Sequence, residues 1–307
     1  MGTDLRLDAN VSRREVLKFA GYGSLAAFLV ACGGGSTTTT TTTGTVSLGS
    51  NHSDPAELKG MQQIIAAFQS ATGNKTKLNT VDHNTFQDQI GSYLQGTPED
   101  TFTWFSGHRM RFFAAKGLAT PIDDVWSQVK SNYTDAFATA VTGDDGHVYG
   151  IPVDYYPWAV FYRKSVFAAH GYQIPTTWDA FKALCVQMKK DGLTPLALGD
   201  KDGWPAQGTF DIINLRLNGY QFHVDLMAHK VPWTDPKVAA VFTQWAQILP
   251  YCQPGANGRI WQDAAKTLEN KQAAMMFQGT GQIGANYTAA NLPDLDFFPY
   301  PQIDPAN

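Results

Sequence analysis

The sequence is poor in cysteine and carries no surplus of positive charge. Its 307 residues include only 3 Cys. This excludes a small scaffold stapled by disulfides and disfavours a zinc site with several thiolate ligands. Lys and Arg number 23 against 27 Asp and Glu, a formal net charge of -4 at pH 7. No basic surface is therefore expected for the phosphate backbone of a nucleic acid. The length fits one large domain or two ordinary ones.

The sequence also lacks the motifs by which common catalytic sites are recognised. It has no Gly-x-Ser-x-Gly turn, no His-Glu-x-x-His helix and no phosphate-binding loop. A glycoside hydrolase needs two carboxylates about 5–10 Å apart. The adjacent acidic pairs, Asp123 with Asp124 and Asp144 with Asp145, instead indicate helix caps and turns, because neighbouring side chains diverge. We therefore predict no enzyme, no metal and no cofactor, with a secreted carbohydrate-active enzyme as the main alternative.

The longest apolar run is too short to span a bilayer. Residues 19–31 form a mostly apolar stretch of 13 residues, whereas a spanning helix needs about 20. The run follows Arg13 and Arg14 and ends in Leu-Val-Ala before Cys32. This order resembles a twin-arginine export signal that ends in a bacterial lipobox. We expect residues 1–31 to be a signal peptide, with a buried cysteine in an apolar helix as the alternative to lipidation of Cys32.

A segment without apolar residues follows the cysteine. Residues 33–44 read GGGSTTTTTTTG, a composition that cannot bury anything and is typical of a mobile spacer. Residues 32–44 are therefore predicted to be a lipidated cysteine with a tether. We expect an extracytoplasmic protein that is held at the bacterial cell membrane by its lipid anchor.

The rest of the chain alternates candidate strands and helices. In its first region the apolar periodicity predicts strands over 45–48 and 101–105, and helices that run from Asp54 to Gly73, around 86–94 up to Gly96, and from His108 to Gly117. Asp54 would be the N-cap of the first helix. This rhythm predicts a parallel sheet covered by helices.

A second region starts near Tyr149 with an extended, aromatic-rich segment over 149–162. The patterns predict a helix capped by Thr177 and ended by Gly192, a strand over 195–198, a helix around 210–217, a helix opened by Asp235, and strands over 273–277 and 297–300. We therefore divide the chain into an N-terminal lobe, 45–153, and a C-terminal lobe, 154–307.

Several short stretches carry a likeness to a known family. They are 103–107 (TWFSG), 115–119 (AKGLA), 149–152 (YGIP), 161–164 (FYRK), 175–181 (PTTWDAF) and 272–276 (QAAMM). In this order they resemble the family 1 extracellular solute-binding proteins, the sugar-binding lipoproteins of bacterial ABC importers. The likeness covers residues 45–303.

The resemblance implies an α/β, two-lobed fold of the periplasmic-binding-protein type II class, with a hinge and a ligand in the cleft between the lobes. It also implies that closure around an unaltered sugar is read by the membrane subunits of an ABC permease. The family's chain continues beyond a point like Asn307, so we expect the C-terminal lobe to be incomplete. We further expect a monomer. A binding protein for a polyamine, metal or peptide, and a surface adhesion module, are the remaining alternatives.

A sugar site needs flat aromatic rings for the C–H faces and polar side chains for the hydroxyls. In the first region, the loop with His52 and Asp54 resembles the family's first ligand loop, unless Asp54 is only an N-cap and His52 is exposed. By the resemblance, Trp104 stacks on a sugar ring while His108 or Arg109 meets hydroxyls. The alternative is that Trp104 is a core residue.

Three further loops supply candidates in the second region. Tyr155, Tyr156 and Trp158 cannot all face one way in an extended segment, which favours Tyr156 with Trp158. Trp204 precedes a predicted helix in a Gly-flanked loop, and Phe210 follows on an apolar stripe that also suits a core.

The last candidate loop follows the predicted strand over 273–277. It contains Gly279, Thr280 and Gln282, and by the resemblance relatives often carry Trp where this chain has Gly281. Whether Cys185 and Cys252 pair stays open.

Overall fold

The computed structural model describes residues 44–279, 283–284 and 286–307. The predicted signal peptide and Cys32 lie outside these residues. Within them the chain divides into two compact units, residues 44–155 and Tyr156–Asn307, each described by itself below. The predicted lobes, 45–153 and 154–307, and the cleft between them stay predictions.

The first unit contains a small parallel sheet with the strand order β2-β1-β3. Its strands are β1 (Thr45–Ser50), β2 (Lys75–Thr80) and β3 (Thr101–Phe102), and its helices are α1 (Pro55–Thr72), α2 (His83–Gln95), α3 (His108–Ala114), α4 (Asp123–Val129) and α5 (Asp135–Val141), with a 3-10 turn at Lys130–Asn132. The parallel sheet predicted for this region is confirmed.

Local signals explain where the first helices begin and end. Helix α1 starts with Pro55 in its first turn and ends at Gly73, as predicted. Helix α2 is capped by Asp82, whose carboxylate accepts a hydrogen bond of 3.0 Å from the backbone N–H of Thr85. Its apolar stripe is buried on one face and forms the core of this part of the unit.

The prediction of a buried strand over 101–105 is wrong. Strand β3 has only two residues, and neither is buried. The ladder ends because the side-chain hydroxyl of Thr103, not its carbonyl, accepts the backbone N–H of Asn51 at 3.1 Å. The same hydroxyl donates to the Asn51 amide oxygen at 2.7 Å.

Of the two acidic pairs in this unit, Asp144 with Asp145 lies in a turn, as predicted, whereas Asp123 with Asp124 lies in the first turn of α4 and does not cap it. The carboxylate of Asp123, in the first turn of α4, accepts the Val148 backbone N–H at 3.0 Å. Asp145 lies in the turn between the two residues of an isolated β-bridge, Thr142 and Val148, and accepts a hydrogen bond of 2.6 Å from the Tyr149 hydroxyl.

The second unit contains a mixed sheet with the strand order β5-β6-β4-β7. Its strands are β4 (Trp158–Arg163), β5 (Thr194–Ala197), β6 (Ala273–Gly279) and β7 (Leu295–Phe298), and its helices are α6 (Lys164–His170), α7 (Trp178–Lys190), α8 (Trp204–Asn218), α9 (Tyr220–Met227), α10 (Pro236–Ala246) and α11 (Trp261–Glu269), with 3-10 turns at Leu249–Tyr251, Ala256–Gly258 and Leu292–Asp294. Strands β5 and β6 are parallel, whereas β4 runs antiparallel to β6 and β7.

The central strand β4 is covered on both faces. Val160 and Tyr162 point into one core, which the apolar stripe of α7 fills, and Ala159 and Phe161 point into a second core formed with α11. This alternation follows from the two-residue period of a strand. Helix α7 begins after Thr177, whose hydroxyl accepts the Ala180 N–H as predicted.

A buried ion pair ties the end of β4 to the chain before β7. The Arg163 guanidinium is 5% exposed and donates to Asp294 from Nη2 at 2.7 Å and Nε at 2.8 Å. It also donates to the carbonyl of Glu269 at the end of α11. Burial alone would raise the pKa of Asp294, but hydrogen bonds from Ser165 and Arg163 hold it below the usual value.

Both cysteines in the described part of the chain are free thiols. Burial, with a smaller effect of the neighbouring Cys252, raises the pKa of Cys185 to about 12. Among the described residues, no helix combines the length and apolar character needed to cross a membrane. The same residues hold no group of three or more His, Cys, Asp or Glu side chains suited to a metal ion.

Candidate functional site

Two half-buried indoles meet at one end of the inner strands of the mixed sheet. Trp158 is the first residue of β4 and pairs with Gly279 at the end of β6. Trp204 is the first residue of α8, just after a glycine in the left-handed conformation. The two ring centroids lie 6.0 Å apart with an interplanar angle of 88°, so the rings form a right-angled corner.

Gly208 allows the ring of Trp158 to approach helix α8 closely. A Cβ atom there would lie 2.4 Å from Cη2 of Trp158, which is closer than any real contact allows. The six-membered ring of Trp158 therefore rests directly on the backbone of α8. Phe277 supports the same ring at 5.2 Å, and Trp261 supports Trp204 at 6.0 Å. These neighbours hold both platforms in one orientation.

The other predicted residues of the second unit do not all lie at this corner. Tyr156 is half-buried. Gly279, the last residue of β6, is buried and pairs with Trp158. Phe210 is 6% exposed and packs between Trp233 and Phe242 at 5.6 and 5.3 Å. Its burial favours the core role that the sequence left open.

Two further predicted residues, Thr280 and Gln282, lie outside the described part of the chain, so their roles stay predictions. Tyr155, the last residue of the first unit, is 67% exposed and touches Phe137 edge to face at 5.5 Å.

In the first unit, His52 and Asp54 follow β1, as the sequence predicted. His52 is not exposed: its Nδ1 lies 3.7 Å from Oε2 of Glu57, and the side chain is 19% exposed. Burial would lower the pKa of His52, but the nearby carboxylates of Glu57 and Asp154 outweigh this effect and raise the pKa. Asp54 precedes α1, but its carboxylate makes no capping hydrogen bond.

Trp104 and Arg109 are brought together, although not as two independent ligand groups. The Arg109 guanidinium lies 4.6 Å from the centroid of Trp104 and 4.2 Å from that of Phe105. Its two terminal nitrogens each donate to the Gln87 side-chain oxygen at 3.0 Å. One face of Trp104 is thus covered by a cation. His108 is exposed at the start of α3.

Two polar residues of the second unit were not predicted from the sequence. Asp211 is half-buried on α8, and burial raises its pKa to about 6. Gln278 on β6 is fully buried, and neither polar atom of its side-chain amide has a hydrogen-bond partner among the described residues. A carboxylate that is flanked in sequence by Phe210 and Ile212 was the available signal for Asp211.

The chain is similar to several binding proteins. The bacterial solute receptor AcbH, described as having an exclusive preference for β-D-galactopyranose, is 56% identical; the match covers 86% of this chain and 67% of that chain, with a TM-score of 0.84. A chitin oligosaccharide binding protein is 25% identical with a TM-score of 0.73, covering 84% of this chain and 67% of its own. The α/β fold of solute-binding proteins, predicted from the sequence, is thereby confirmed.

By sequence, the chain is 27% identical to an uncharacterised extracellular-binding protein of an ABC transporter from Pyrococcus horikoshii, over 66% of this chain and 47% of that protein. It is 27% identical to the alpha-glucosides-binding periplasmic protein of Rhizobium meliloti, over 60% of this chain and 43% of that protein. The chain thus spans about half the length of these relatives. The family model described as bacterial extracellular solute-binding protein matches residues 52–307. The chain belongs to this family, whose relatives named here are binding proteins.

Proposed function

We propose that this chain is the carbohydrate-binding component of an ABC importer, and that its ligand is a pyranose monosaccharide such as β-D-galactopyranose. The likeness to AcbH supports this choice, because that receptor is 56% identical over most of the chain. The membership in an extracellular family supports capture of the sugar outside the cytoplasm.

The observation that carries the proposal is the corner made by Trp158 and Trp204. A pyranose has an apolar C–H face, which stacks on an indole, and a rim of hydroxyls. Because the two half-buried rings stand at 88° to each other, one ring can stack on the C–H face of the sugar while the other contacts its side. Because Gly208 and Phe277 support Trp158 from behind, little side-chain entropy is lost when the sugar binds.

The remaining parts of the proposal concern the whole protein. The bound sugar leaves unaltered, a lipid on Cys32 holds the protein at the membrane, and a monomer delivers the ligand to the permease subunits. An incubation with galactosides and other glycans tests the first part. We expect no new reducing ends, and their appearance would favour the enzyme alternative.

Calorimetric titration of the 307-residue chain with D-galactose, D-glucose, D-xylose and spermidine tests the proposed ligand class. We expect saturable binding of galactose and no binding of spermidine. Trp158→Ala and Trp204→Ala should each weaken galactose binding about ten-fold or more, as loss of a central aromatic contact does.

Trp233→Ala is the matched control, since Trp233 is 48% exposed and packs on Phe210 instead of the corner. It should leave galactose affinity unchanged. Tight spermidine binding without any sugar response would refute the proposal and support a polyamine-binding protein.

A further inference from the structure

The second unit contains a half-buried carboxylate, that of Asp211. Asp211 lies in the second turn of α8, between Phe210 and Ile212, and no hydrogen bond or ion pair to another described residue engages it. A carboxylate removed from water without a partner destabilises the folded state. Water, an ion or a ligand completes the hydrogen bonds of such a group, and perturbed carboxylates cluster at functional sites.

Helical periodicity places Asp211 beside the aromatic corner. Positions 204, 208 and 211 lie on one face of a helix, and residues three apart have Cβ atoms about 5–6 Å apart. The fully buried Ile213 lies on the opposite side of the helix. Helical side chains lean toward the N-terminus, which directs the Asp211 carboxylate toward the turn on which Trp158 rests.

The position of Gly208 makes this proximity possible. A side chain at 208 would separate the carboxylate from the indole, but the glycine brings the six-membered ring of Trp158 against the helix backbone. The flat apolar ring of Trp158 and the Asp211 carboxylate, which accepts hydrogen bonds from hydroxyl groups, therefore lie within one helical turn of each other. This is the combination that the face and the rim of a pyranose require.

We propose that Asp211 is a specificity-determining residue of the sugar site, whose carboxylate accepts hydrogen bonds from adjacent hydroxyl groups of a pyranose stacked on Trp158. The inference rests on the proposed function, since it assigns the polar group of that same site. A carboxylate has two oxygens that accept from two neighbouring hydroxyls at once. The ligand thus supplies the hydrogen bonds that this side chain lacks.

Calorimetric titration of the 307-residue chain with D-galactose and its 2-, 3-, 4- and 6-deoxy derivatives tests the inference. In the wild type, removal of at least one hydroxyl should weaken binding about ten-fold or more. In Asp211→Asn, galactose should bind about ten-fold more weakly, and the same deletion should cost no more than about three-fold. The control Asp263→Asn, at an exposed position on α11, should behave as the wild type.

The unfolding midpoint separates a binding role from a structural one. Asp211→Asn should be at least as stable as the wild type without ligand, because it removes an unpartnered charge. Asp211→Glu serves as the second variant, since it keeps the charge but moves it by one methylene. It should weaken galactose binding and change which deoxy derivative binds worst.

The outcomes are distinguishable. If the wild type binds galactose and both Asp211 variants match its affinity and its response to the deoxy sugars, the inference is refuted while the proposed function stands. If the wild type binds no sugar, both are refuted. Preferential binding of D-galactosamine, lost in Asp211→Asn, would overturn the inference in favour of an ammonium-binding carboxylate.

Discussion

Substitution of Gly208 by alanine tests the support beneath the aromatic corner. Alanine in a helix interior gains about 1 kcal/mol of intrinsic stability over glycine. The new Cβ would lie 2.4 Å from Cη2 and 2.5 Å from Cζ3 of Trp158, so the ring must move. Overpacking of this kind costs about 1–3 kcal/mol. We therefore expect Gly208→Ala to change the free energy of unfolding by between zero and about -2 kcal/mol and to weaken galactose binding.

Gly91→Ala provides the matched control. Gly91 lies in the interior of α2, and a Cβ at that position would meet no atom within 4 Å. The gain in helix propensity is not opposed there, so we expect about 0.5–1 kcal/mol of stabilisation and unchanged galactose affinity.

Urea unfolding followed by circular dichroism measures the stability of both variants, and calorimetry measures their galactose affinity. Equal stabilisation by Gly208→Ala and Gly91→Ala, with galactose bound as in the wild type, would show that the ring does not depend on this glycine.

Three further substitutions test other contacts. Arg163→Met should lower the free energy of unfolding in urea by about 3–5 kcal/mol, because it leaves Asp294 without its buried partner; a loss below about 1 kcal/mol would contradict this. The Tyr93 hydroxyl donates to the Glu99 carboxylate at 2.5 Å, and this hydrogen bond lowers the pKa of Glu99. Tyr93→Phe should therefore lower the free energy of unfolding by about 1 kcal/mol at pH 7. This difference should disappear as the pH falls below 4.5, the ordinary pKa of a glutamate, because Glu99 is then protonated. Burial raises the pKa of Asp211 from 3.8 to about 6, so ionisation of this group destabilises the folded state. As the pH rises from 4 to 6, the wild type should therefore lose at most ~3 kcal/mol of stability relative to Asp211→Asn. A stability difference in urea that stays constant across this range would refute the prediction.

Helix boundaries were predictable because they depend on neighbours in the chain. Asp235 caps α10 through a 2.8 Å hydrogen bond from the Lys237 N–H, and Gly73 ends α1, as their sequence patterns indicated. Strand β2 was missed because its sequence, KTKLNT, has a single large apolar residue and lies at a sheet edge. Strand β3 was overestimated, because a hydroxyl contact of Thr103 replaces the ladder after two residues.

The candidate site was predictable in its residue types but not in its geometry. Trp158 and Trp204 stood out as aromatics beside glycine and proline, but their right angle depends on residues distant in sequence, such as Trp261. Arg109 was expected near Trp104 as a separate polar group, whereas the structure stacks it on the ring. Such pairings arise from packing, which no local pattern encodes.

The pairing of β4 has a consequence for the synthesis of the protein. This strand lies in the middle of its sheet, but its partners β6 and β7 come more than a hundred residues later; the contact between Tyr162 and Asp296 spans 134 residues. At about 5–20 residues per second, the ribosome needs on the order of ten seconds to add them. During that interval an apolar strand is exposed in the nascent chain, so a chaperone that binds extended apolar segments should engage Trp158–Arg163 before the sheet closes.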